Sequence, residues 1–238
     1  MPALRSRPRR ERARERDVRA LWAACSALLD YPTEELLASL DDIAALGDPH
    51  LAPVIDHLRS RPLAEVQQEY VQTFDHTRKC ALYLTYFAYG DTRRRGLALV
   101  GFKEAYRAAG VELGGGPGTE EELPDHLCVV LQFGALVDEA GARRLLTEHR
   151  AGLEMLRLAL TGWDHGDGSP WLGVLRAVCD TLPELRGDEA EAVRRLIEQG
   201  PPAEEVGLQP YGADPMTTGP MSGPALIAPA TIPVGAPR

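Results

Sequence analysis

The chain has 238 residues, with 26 Lys or Arg against 35 Asp or Glu for a net charge of −9, and it carries four cysteines. That length suits one domain or two small ones, and the acidic balance argues against a dedicated nucleic-acid binder, which needs clustered cations. Cysteines at 25, 80, 128 and 179 make no CxxC pair, which argues against a disulfide scaffold or a zinc site, and no apolar run approaches the roughly 20 residues of a membrane span.

Residues 1–16 hold seven Arg and two Glu with almost no apolar side chain, so a disordered Arg-rich arm or a frayed helix is expected there. The apolar stretch Leu21–Cys25 is too short for a signal sequence, and Asp17 and Arg19 precede it. Arg9-Arg10 leads into no apolar run, so no twin-Arg leader is read, and a cytoplasmic location with reduced thiols is expected. Residues 200–238 hold nine Pro and six Gly without a period, the composition of a disordered tail. The folded unit is therefore expected over 17–199, where 18 basic and 30 acidic residues leave −12.

In that unit Leu supplies 30 residues and Ile plus Val together 15, a ratio that favours helices over strands. Val18, Leu21, Trp22, Cys25, Leu28 and Leu29 repeat at helical spacing. Tyr31-Pro32 breaks that helix. Thr33 with Glu34 and Glu35 caps the next, which carries Leu36, Leu37, Leu40 and Ile43 to about Gly47. Short helices follow at 53–59 and, after Pro62, through Leu63, Val66, Tyr70 and Phe74. Residues 81–89 have strand-like composition, yet a lone strand would leave its backbone groups unpaired, so helix is expected. A helix over 92–109 should turn Leu97, Gly101, Phe102, Ala105 and Tyr106 inward. After a glycine-rich loop, helices are expected at 124–138, 142–161, 170–182 and 187–198. The expected fold is all-α, a single-domain multi-helix bundle of nine or ten helices.

Eight of the 14 aromatic residues fall within 70–106: Tyr70, Phe74, Tyr83, Tyr86, Phe87, Tyr89, Phe102 and Tyr106. They can form a core, or the tyrosines can line a groove whose rings and hydroxyls suit a partner surface. Glu122-Leu123-Pro124-Asp125-His126 stands at the junction of the glycine-rich loop and the next helix. It reads either as a capping device, with Pro124 in the first turn and Asp125 at the positive end of the dipole, or as a rigid polar cluster facing a cleft. Catalytic templates fail: there is no HExxH, no paired Glu-x-x-His, no GK[ST] after the glycines and no G-x-S-x-G. Arg93-Arg94-Arg95 reads as a solvated face.

Four segments together resemble the NarJ family, the assembly chaperones of respiratory nitrate reductase, related more distantly to the TorD and DmsD chaperones. They are Tyr70–Asp75, Leu82-Tyr83-Leu84-Thr85-Tyr86, Gly90–Gly96 and Glu122–Leu127, in that order. The resemblance runs more thinly from about residue 18 to residue 160. Cys128 stands where the family often has Pro, and Gln132 where it often has Glu. The resemblance implies a helical chaperone that is not an enzyme and has no cofactor or metal of its own. It implies binding of the N-terminal segment of the reductase catalytic (alpha) subunit during molybdenum cofactor insertion, with cofactor-delivery proteins as further partners. It implies a peptide groove bordered by Tyr70, Phe74, Asp75, Glu122, Leu123, Pro124, Asp125 and His126, with Tyr83 and Tyr86 as walls. The rival expectations are a metal-binding or enzymatic helical protein using Asp75/His76 and Asp125/His126, and a nucleic-acid or membrane-surface binder working through the arm.

Overall fold

Helix α1 (Arg9–Leu29) turns the face read from Trp22, Cys25, Leu28 and Leu29 inward, and all four are buried. The computed structural model describes residues 9–90, 93–112, 122–162, 168–185 and 187–199. The first eight residues, the glycine-rich stretch 113–121 and the tail from Gly200 lie outside the described residues. The chain divides into two units, Met1–Glu204 and Glu205–Arg238, and all the helices belong to the first. α1 begins at Arg9, inside the segment expected to be a disordered arm. Residues 9–16 consist only of Arg, Glu and Ala, and all three are strong helix formers.

α1 runs antiparallel to α7 (Leu127–Leu136). Arg19 donates to the carbonyls of Ala135 and Val137 at 3.3 and 3.4 Å, and Ser26 Oγ to that of Cys128 at 3.0 Å. α7 is apolar nearly all round, the mark of a central helix, and buries Leu127, Cys128, Val130, Leu131 and Phe133. Gly134 lets the two helices close up, since a Cβ there would stand 2.5 Å from the Trp22 ring.

Around this pair α2 (Glu34–Ala44) starts from Thr33, whose Oγ1 accepts the Leu36 N–H at 3.2 Å, as the sequence predicts. α3 (Ala52–Ser60) and α4 (Leu63–Tyr70) follow, and α4 runs on into a π-helical segment, Val71–Asp75. A 3₁₀ turn (Arg78–Cys80) and the short α5 (Tyr86–Tyr89) lead to α6 (Arg93–Ala108). α8 (Glu139–Glu148), α9 (Arg150–Thr161), α10 (Leu172–Asp180) and α11 (Asp188–Gln199) complete the bundle. Among the described residues there are eleven α-helices and no named strand, so the all-α expectation holds.

Three expected elements come out differently. The helix expected over 142–161 is two, α8 and α9, broken at His149, whose ring stacks on Phe102 at 4.8 Å. Residues 81–85 are not helical. They pair with 125–127 through an isolated antiparallel bridge, Tyr83 to His126, so the Leu84 N–H and the Leu82 carbonyl find backbone partners without a sheet. Leu97, expected inside, is 76% exposed, because α6 turns Phe102 and Tyr106 inward and Leu97 falls roughly on the opposite side of the helix.

Candidate functional site

The bridge between residues 82–84 and 125–127 is the framework of the site. Leu84 N donates to the Asp125 carbonyl at 3.1 Å and Leu127 N to the Leu82 carbonyl at 2.8 Å. These two bonds bracket Tyr83 and His126, whose rings meet edge to face at 5.2 Å. Behind the bridge, Asp125 is fully buried, and its Oδ2 accepts Thr85 N at 3.1 Å and Thr85 Oγ1 at 2.6 Å. Thr85 Oγ1 in turn accepts Arg95 Nε at 3.2 Å. Hydroxyl and carboxylate thus form a relay from α6, through the 82–85 segment, to the start of α7.

Two close approaches hold this frame from outside. On α9, Gly152 lies against the Leu84 carbonyl, where a Cβ would be 2.6 Å from the oxygen. On α6, the buried Tyr106 hydroxyl donates to the Pro124 carbonyl at 2.6 Å. The Arg95 guanidinium covers the rings of both Tyr83 and Tyr86, at 5.4 and 5.8 Å from their centroids, within cation–π range. Its side chain is only 15% exposed and lies 3.8 Å from Asp125 Oδ2. The solvated reading therefore holds for Arg93 and Arg94, which are exposed, and fails for Arg95.

Helix α7 starts at Leu127 with His126 as its cap residue and no side-chain cap bond. Pro124 and Asp125 lie in the preceding turn, so neither is part of a helix. Both expectations for Asp125 give way: it neither caps α7 nor faces a cleft, but fastens the 85 backbone internally. Glu122 and Leu123 are exposed. Glu122 Oε1 accepts the Tyr83 hydroxyl and the Leu123 N–H, at 3.0 and 3.1 Å. Burial first, and then the Glu122 charge, push the Tyr83 phenol up to about 12. Burial holds His126 below the usual imidazole range against the opposing pull of Glu122, Asp30 and Asp125, so at neutral pH the ring is uncharged.

The structure brings Tyr83, Tyr86, Glu122, Leu123, Pro124, Asp125 and His126 together. Tyr70 and Phe74, expected at a groove edge, are buried instead, in an aromatic cluster with Trp171 at ring separations of 4.8 to 5.9 Å. The Tyr70 hydroxyl donates to the Leu29 carbonyl at 3.0 Å, closing the end of α1. Asp75 is exposed at the end of the π-helical segment. Thr85, Arg95 and Trp171 were not read as site residues. An Arg triplet opening a helix is the signal that could have found Arg95, since three successive residues spread over roughly 200° of the helix circumference and one of them can reach the inward face.

Among the described residues no group of three or more His, Cys, Asp or Glu is placed to hold a metal ion. Cys25, Cys80, Cys128 and Cys179 are buried free thiols, and burial raises each of them, which suppresses the reactive thiolate. What remains is an exposed patch: Glu122 and Leu123 beside the half-buried rings of Tyr83, Tyr86 and His126, on a frame fixed by buried polar contacts.

Comparison with known proteins bears on the chain as a whole. The chain is 38% identical over 168 residues to the nitrate reductase-like protein NarX of Mycobacterium tuberculosis, which is 68% of this chain and 24% of that protein. It is 33% identical over 148 residues to the probable nitrate reductase molybdenum cofactor assembly chaperone NarJ of Bacillus subtilis, 59% of this chain and 78% of that one. A solved structure of a putative redox enzyme maturation protein from Archaeoglobus fulgidus superposes with a TM-score of 0.52, covering 76% of this chain and 98% of that chain. At 20% identity that likeness shows the fold alone. Residues 26–175, from the last turn of α1 into α10, match the family model described as the nitrate reductase delta subunit. The chain belongs to the nitrate reductase delta subunit family.

Proposed function

We propose that the chain is an assembly chaperone for a respiratory nitrate reductase. In this reading it binds the N-terminal segment of the catalytic (alpha) subunit and holds that subunit competent for molybdenum cofactor insertion before membrane attachment. It is not an enzyme and it works in the cytoplasm. The observation that carries the reading is the stapled corner at the start of α7, where exposed Glu122 and Leu123 flank the half-buried rings of Tyr83 and His126. A rigid surface offering apolar ring edges and a carboxylate suits a short amphipathic segment. The chaperone names of the Bacillus relative and of its Escherichia coli counterparts support nitrate reductase as the client. Among the described residues no helix is long and apolar enough to cross a membrane.

Calorimetric titration of the full chain with a synthetic peptide of the first ~20 residues of the catalytic subunit, about five helical turns, tests the proposal. Saturable 1:1 heat is expected. Absence of heat, together with failure of the whole catalytic subunit to be retained by the immobilised chain, would sink it.

A further inference from the structure

The corner between α1 and α2 carries a second acidic and aromatic element next to this surface. Arg19 pairs with Ala135 and Val137, and Ser26 with Cys128, so α1 and α7 keep one antiparallel register. Asp30 directly follows the end of α1, which in this register stands beside the start of α7. Asp30 is exposed, and its Oδ1 accepts the Tyr31 N–H at 2.8 Å. Tyr31 is 44% exposed and stands edge-on to Tyr70 at 5.6 Å. The charge of Asp30 is felt at His126, Cys128 and Tyr70, as is that of Glu122, which places both carboxylates about the same corner. Behind them the buried Asp125 has an oxygen, Oδ1, with no hydrogen-bond partner. Negative potential at this face is thus supplied by the two exposed carboxylates, since the buried Asp125 has the Arg95 guanidinium 3.8 Å from its Oδ2.

We propose that Asp30 and Tyr31 extend the client surface across the α1–α2 corner, and that Asp30 with Glu122 selects a bound segment carrying a Lys or Arg beside an apolar side chain. The cation would sit between the two carboxylates and the apolar neighbour on Tyr31 and Leu123. This rests on the chaperone reading for the identity of the segment, and adds the residues that set its charge.

The experiment compares two synthetic peptides on the full chain: the first ~20 residues of the catalytic subunit, and the same segment with every Lys and Arg replaced by Gln. Asp30→Asn keeps the Oδ1 acceptor for Tyr31, and Glu122→Gln keeps the acceptor for Tyr83, so each removes charge without reshaping the corner. For the native segment each variant should weaken binding about two- to fivefold, the range of partly exposed ion pairs. The loss should shrink in ~1 M salt, where the Debye length is about 3 Å. The Gln segment should bind wild type and both variants alike. Equal binding of the native segment to wild type and variants overturns the charge-selection proposal and leaves the chaperone reading standing. A native segment lacking Lys and Arg that still binds also overturns it. No binding of either segment to the wild-type chain overturns both.

Discussion

Asp125→Ala is the sharpest perturbation of this frame. Asp125 is fully buried, and its Oδ2 is the acceptor for both Thr85 N and Thr85 Oγ1, on a residue that is itself fully buried. Truncation strands one backbone N–H and one hydroxyl away from water, and removes the carboxylate that Arg95 approaches at 3.8 Å. Two hydrogen bonds to a charged acceptor are worth about 1.5–3 kcal/mol each. Part of that sum is offset in the wild type, because burying a carboxylate with one oxygen unpartnered carries a desolvation cost. The net loss is therefore set at the lower end, about 3 kcal/mol. For a folded unit of this size that lowers the melting temperature by about 6–12 °C. Asp125→Asn keeps one acceptor and should cost about 1–2 kcal/mol. Thr85→Val should cost less in the Ala background than alone, since the hydroxyl's bond to Asp125 is then already gone and only its acceptance of Arg95 Nε is newly lost. Far-UV circular dichroism, by heat and by urea, reads all three variants. If Asp125→Ala melts within about 2 °C of wild type, the staple is not structural. If the client peptide is then lost at unchanged stability, Asp125 contacts the client and the buried geometry argued above is refuted.

Three further outcomes follow from neighbouring geometry. Gly152→Ala drives a Cβ to 2.6 Å from the Leu84 carbonyl; as backbone cannot swing aside, a loss of about 1–3 kcal/mol is expected in urea unfolding, with weakened peptide binding because the bridge is displaced. Glu154 is buried between Arg150 and Arg157, whose nitrogens approach it at 2.8 and 2.7 Å, so Glu154→Ala leaves two unpaired cations and should cost about 3 kcal/mol or more by the same assay. Burial lowers His126 and His149, so below the ordinary imidazole value of 6.5 the unfolded chain takes up protons that the folded chain resists. The stability contribution of both is complete above that pH and falls as the pH drops toward their lowered folded values. His126→Gln should flatten the decline in melting temperature on acidification, and an unchanged pH profile would assign the acid sensitivity elsewhere.

Much of the helical scaffold was legible because its signals are local. The α1 face, the Thr33 cap and the Pro-led starts of the short helices depend on residues within one or two turns of one another, and the structure keeps them. The 81–85 segment was misread because its hydrogen-bond partners come from residues 125–127, some 40 positions away. Satisfaction of a backbone group at that separation leaves no period in the sequence. The inward face of α6 differs for another reason: Leu97 stands five and nine residues before Phe102 and Tyr106, which puts it roughly on the opposite side of the helix from both, and it is exposed.

For the site, the motif Glu122–His126 and the tyrosines at 83 and 86 could be singled out as unusual, and the structure gathers them. Their division of labour could not be read. Asp125 became an internal staple, Tyr70 and Phe74 became core around Trp171, and Arg95 turned from an apparent surface charge into a cover over two tyrosine rings. Which polar side chain goes inward depends on which donor lies across the interface, since an unpaired buried charge costs several kcal/mol (about 3–5) and a paired one is tolerated.

The sequence by itself determined the helical class, the acidic body and the residues from which a recognition surface could be made, because propensity, amphipathic period and charge are properties of short stretches of chain. The tertiary structure alone decided which of those residues face solvent. That choice is settled by contacts between 82–85, 122–127, α6 and α9, whose partners lie far apart along the chain.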